Sequence, residues 1–141
     1  MVFPAHHLVA PATEERFKPT VFRHSTAAAK LEEIANDPVT SQANRVSVLL
    51  ANSNFPQTRT ITHTLWAMFG LLPKGKVQYP NRHESVALDF VISCKPGCYA
   101  LIGTELDSHG MIVNGHREDW KSGASFITPA ALTRTVRGAY G

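Results

Sequence analysis

The stretch Gly75-Lys-Val-Gln-Tyr-Pro-Asn81-Arg-His83-Glu-Ser-Val-Ala-Leu-Asp-Phe90 decides how this chain folds. Along it Asn81, His83, Ser85, Ala87 and Asp89 alternate with Val86, Leu88 and Phe90, so an extended backbone puts small or polar side chains on one face and apolar ones on the other. Arg82 and Glu84 fall on the apolar side near the start, where solvent is their natural environment. Positions 81 and 83 share a face, one with an amide and one with an imidazole. A polar stripe inside a barrel strand lines a pocket, and a bulge would invert its parity.

Working outward, short β-type runs separated by turn residues begin at Arg45. The expected strands are 45–51, 58–72 (bent), 76–79, 85–93, 99–103, 111–114 and 124–128. Pro73-Lys-Gly75, Pro96-Gly97, His109-Gly110 and Ser122-Gly123 supply turns between them. Toward the N-terminus the pattern is different. Ser25 or Thr26 is suited to cap a short helix over 27–35, Asp37-Pro38 to stop it, and Leu31, Ile34 and Ala35 to form its apolar side. The sequence thus predicts an irregular N-terminal arm and one short helix over 1–39 and a single all-β domain over 40–141, an antiparallel double-sheet barrel.

A chain of 141 residues with 43% hydrophobic and 18% charged residues has the composition of one ordinary globular domain. Its net charge of +3 comes from scattered Lys and Arg that form no stripe, which argues against nucleic acid as a partner. The longest apolar run, 65–72, is too short to span a bilayer, and no basic n-region precedes it, so no membrane role and a cytoplasmic location are expected. Two cysteines cannot make the disulfide framework of a small secreted domain. Cys94 and Cys98 bracket a turn that can set two thiols across a hairpin; reduced thiols at strand ends are the expectation.

Gly75, then Asn81-Arg82-His83, then Pro96-Gly97 resemble the first motif of the cupin superfamily, in which two histidines and often a glutamate bind metal. Gly123, Pro129, Ala131, Arg134 and Gly138 resemble the second, where cupins usually carry glycine, the third histidine and asparagine. More narrowly, Arg82-His83-Glu-Ser-Val-Ala-Leu-Asp-Phe90, Pro96-Gly-Cys-Tyr99, Gly103-Thr-Glu-Leu-Asp107 and Phe126-Ile-Thr-Pro129 are similar to small fungal cupin-domain oxidoreductases encoded beside reducing polyketide synthases that make salicylaldehyde-type metabolites. The resemblance covers roughly residues 40 to 130. It implies a jelly-roll barrel, an oxidoreductase of secondary metabolism acting on an aromatic or polyketide-derived small molecule, and iron or another divalent metal as cofactor.

The ligand set departs from that pattern. Asn81 stands at the first histidine, neither Ala87 nor Leu88 replaces the glutamate, and Arg134 stands at the last histidine. An oxygen-handling iron centre needs three fixed protein ligands with open positions. The amide oxygen of Asn81 is a weak donor and the Arg134 guanidinium is permanently cationic, so poor metal affinity is expected, with His83 and Asn81 as the metal-site remnant. Asp89, about 20 Å past His83 along an extended strand, is expected to bond a loop amide rather than co-ligate. His83 is then either a pocket or surface imidazole satisfied by a neighbouring strand or a group with a residual metal role.

The other histidines, His6, His7, His24, His63, His109 and His116, show no metal-ligand spacing and are expected to be solvated. Trp66, Phe69, Tyr79, Phe90, Tyr99, Trp120 and Phe126 are expected mainly to build the core. Only twelve residues follow Pro129, enough for one short strand, so C-terminal closure is expected to be incomplete. An open sheet edge makes a homodimer plausible. Three functions fit: the cupin-type oxidoreductase; a metal-free cupin in which His83 acts as acid or base in dehydration or cyclisation; and a degenerate cupin that binds a small molecule without turnover.

Overall fold

The computed structural model describes residues 17–40, 42–54 and 56–138. The expectations for His6 and His7, for the first sixteen residues of the arm and for positions 139–141 lie outside them. Among the described residues the architecture is β-rich: one short helix, α1 (His24–Asn36), and eight strands in antiparallel sheets. The strands are β1 (Val46–Leu49), β2 (Met68–Leu71), β3 (Val77–Arg82), β4 (Ala87–Phe90), β5 (Tyr99–Gly103), β6 (His116–Asp119), β7 (Ser125–Thr128) and β8 (Thr133–Arg137). β1 pairs with β2, β4 with β7, and the four-stranded sheet has the order β3-β8-β5-β6.

The chain divides into two compact units, one holding 17–32 and 47–69, the other 33–46 and 70–138 among the described residues. In the first unit α1 begins one turn earlier than expected. The first helical bond runs from Ala27 N–H to the Arg23 carbonyl, so Ser25 and Thr26 lie within the first turn. Ala27 and Leu31 are its buried residues. Residues 17–20 are held by Asn52, which is 3% exposed: its amide accepts from Lys18 N–H at 3.3 Å and donates to the Lys18 carbonyl at 2.8 Å. One side chain thereby reproduces a rung of β-ladder. The expected long strand 58–72 shrinks to β2, because Thr62 closes a local turn. Its hydroxyl accepts from Leu65 N–H, and the Leu65 carbonyl takes the N–H groups of Ile61 and Thr62. The competing side-chain bond outweighs β-propensity there.

The second unit contains the stretch 75–90. It does not form one continuous strand-turn-strand face. β3 stops at Arg82, the chain bends through 83–86, and β4 starts in a different sheet. β3 also carries the bulge that alters parity. Gln78 pairs with Val136 but the next rung is Asn81 with Arg134, leaving Tyr79 and Pro80 together opposite Thr135. Pro80 has no N–H to give a ladder, which makes it the natural residue for the interruption. The buried Thr135 hydroxyl donates to the Gln78 carbonyl and satisfies the backbone at that point.

β8, the short C-terminal strand, lies at the centre of its sheet between β3 and β5 rather than at an edge. Its Val136 is packed with Ala100 and Ile102 of β5 in a core of small aliphatic side chains. None of the seven β-region aromatics is fully buried, and Trp66, Tyr79 and Phe90 are exposed, so the expectation that they build the core is corrected. Two other local differences have clear causes. The run 111–114 makes only a bridge from Ile112 to Leu106, because the Asp107 carboxylate draws the N–H groups of His109 and Met111 into a turn. β6 carries no apolar alternation, being His-Arg-Glu-Asp on the outer edge of the sheet.

Candidate functional site

The site is built where the β4–β7 ribbon meets the four-stranded sheet. The register pairs Ala87 with Thr128 and Asp89 with Phe126, so these four share one face of the ribbon. On the larger sheet Asn81, Arg134, Ile102 and His116 occupy successive rungs and share a face. Asp89 and Arg134 close the gap between the two, with the Arg134 Nη1 donating to the Asp89 carboxylate. The guanidinium is 8% exposed as a residue, and Asp89 is half-buried.

Burial pushes the Asp89 carboxyl above the usual carboxylate range, against the downward pull of the Arg134 charge and hydrogen bond and the smaller pulls of His83 and Arg45. His83 acts on Asp89 electrostatically because the bend at 83–86 folds the chain back. The separation expected for one extended strand does not apply, and Asp89 pairs with Arg134 instead of a loop amide.

The two residues singled out from sequence come together. Asn81 sits on β3, half-buried, and its Nδ2 lies 3.3 Å from Nε2 of His83, which is exposed just beyond the strand end. The bulge at Tyr79-Pro80 is what puts Asn81 on the side of Gln78 and Arg134. The His83 carbonyl accepts from Ala131 N–H at 2.9 Å, and Ala131 holds φ of 65°, a left-handed conformation costly for a residue with a Cβ. This bond ties the His83 segment to the turn that launches β8. Two polar atoms on the facing surfaces, Asn81 Oδ1 and the Thr128 hydroxyl, are buried without a hydrogen-bond partner.

These residues do not fit a resident divalent metal. Arg134, which stands where the cupin resemblance implies a third ligand, is already engaged with the nearby carboxylate Asp89. Among the described residues no three His, Cys, Asp or Glu side chains are grouped to hold an ion. His24 lies beside Phe69, His63 edge-on to Phe17 and His109 in the Asp107 turn, and His116, on the outer strand of the same face, is 3.2 Å from Glu118. Cys94 and Cys98 are free, half-buried thiols.

A separate cleft of about 440 Å³ lies in the first unit, lined by Phe17, Phe22, Ile61, Lys18, Asn52 and their neighbours. It includes none of the site residues named above. Sequence reasoning did not find Thr128 as a site residue, nor that Arg134 would pair with Asp89. Both depend on strand pairings between segments more than thirty residues apart, for which the sequence carries no local signal.

The chain matches no family model, no curated protein and no solved structure. No helix among the described residues is long and apolar enough to cross a membrane.

Proposed function

We propose that the second unit is a cupin-like jelly-roll domain of secondary metabolism that acts, without a resident metal, on an aromatic or polyketide-derived small molecule. The observation that carries the metal-free form is the donor set: one imidazole, an amide, and a guanidinium paired with Asp89 where a ligand histidine would stand. In this reading His83 is the catalytic group, taking or giving a proton during dehydration or cyclisation. Asn81 Nδ2 donates to an unprotonated Nε2; turned over, the same amide accepts from a protonated ring, so Asn81 can follow His83 through a proton transfer.

The residues resembling fungal cupin-domain oxidoreductases, Arg82 to Phe90 and Phe126 to Pro129 above all, favour a second reading as an oxidoreductase of the same pathway. A binding role without turnover is the third.

Deleting the coding sequence from its host and profiling the polyketide products tests the catalytic readings. Loss of product, restored by the wild-type chain and reduced by about 10²-fold or more with His83→Ala, is the expected result. Unchanged product on deletion removes both catalytic readings, and full restoration by His83→Ala removes His83 as the catalytic group.

A further inference from the structure

The β4–β7 ribbon turns Asp89 and Thr128 inward and leaves its large aliphatic side chains outward, the reverse of a ribbon whose polar face is the solvated one. Its inward face carries Ala87, Asp89, Phe126 and Thr128, whereas Leu88 and Ile127, opposite one another in the register, are 70% and 58% exposed. Phe90 at 62% extends the outer face, and Val86 and Ile92 flank it along the chain, both exposed. Alternation in the sequence fixes this. Because Asp89 must turn inward to meet Arg134, its strand neighbours Leu88 and Phe90 must turn outward.

We propose that this outer face is the interface of a homodimer, packed against the same face of a second copy about a twofold axis. Two features favour a copy of the same chain as the occupant. The outward positions of β4 and β7 are Leu88, Phe90, Ser125 and Ile127, with no charge among them, so the face meets its own image without like-charge repulsion. Five exposed apolar side chains amount to something on the order of 500 Å², at the upper end of what monomers leave open, and form the apolar centre of an interface of about 800 Å² per partner. The inference is independent of what His83 does.

Sedimentation equilibrium or light scattering on the purified chain tests it. The wild type is expected at twice the chain mass of 15.5 kDa, and Leu88→Lys and Leu88→Glu each at the chain mass with an unchanged circular-dichroism spectrum, since Leu88 is exposed. Mixing the two variants is expected to restore the doubled mass through opposite charges across the axis. A wild type that stays at the chain mass at its highest soluble concentration overturns the proposal, as does a dimer that both Leu88 variants leave intact. Binding of the wild-type chain to a different protein or to lipid vesicles while it remains monomeric also overturns it.

Discussion

Arg134 takes a permanent charge into a position that is 8% exposed, and Asp89 is the group that makes this tolerable. Removing one member of such a pair costs more than the pair contributes, because the other is left buried and uncompensated. Asp89→Ala is therefore expected to lower stability by about 3 kcal/mol, the low end of the usual range because a third of the Asp89 side chain meets solvent. Asp89→Leu with Arg134→Met, which replaces both charges by apolar groups, is expected close to wild type. Urea unfolding of the three proteins checks the claim, and an equal loss in the double and the single variant would count against it. The pH dependence has a definite sign. Burial raises the folded Asp89 pKa despite Arg134, so as pH falls the folded chain takes up this proton before the unfolded one and stability rises over that window, the protonated carboxyl, unlike alanine, still accepting from the Arg134 guanidinium.

At the scale of elements, the loop joining β5 to β6 depends on close approaches that only glycine permits. A Cβ at Gly115 would lie 2.7 Å from Ile112 Cγ2 and 3.0 Å from the Ile102 carbonyl oxygen, and one at Gly103 would crowd Gly115. Gly115→Ala is expected to destabilise by about 1–3 kcal/mol through overpacking, measured as a lower urea midpoint with unchanged slope. An unchanged midpoint would mean that the loop rearranges freely. β5 was fully legible in the sequence because Tyr-Ala-Leu-Ile-Gly is a short apolar run bounded by turn residues, with Ala100 and Ile102 buried and the other positions half-buried. β7 and the end of α1 were nearly so. β6 was not, because an edge strand needs no apolar period. Positions 58–67 misled in the opposite sense, with β-branched residues captured by the Thr62 turn. The Asn81–His83 proximity was readable from the spacing, while the inward turn of Asn81 rests on a bulge whose only cue was Pro80.

For the molecule as a whole, the site residues all lie in the second unit and are assembled from β3, β4, β7 and β8. β8 brings Arg134 into the middle of the larger sheet, while β4 and β7 bring Asp89 and Thr128 from the ribbon. The fold thus gathers polar groups between its sheets, and where the proposed cupin likeness would put a last metal ligand it holds a cation bound to a carboxylate. That exchange is the central claim, and metal stoichiometry tests it most directly. The chain, purified and exposed in turn to ferrous iron, manganese and zinc and then passed through a desalting column, is to be measured by plasma mass spectrometry beside His83→Ala. The account predicts far less than one equivalent of each metal in both proteins. One equivalent retained by the wild type and lost with His83→Ala would contradict it.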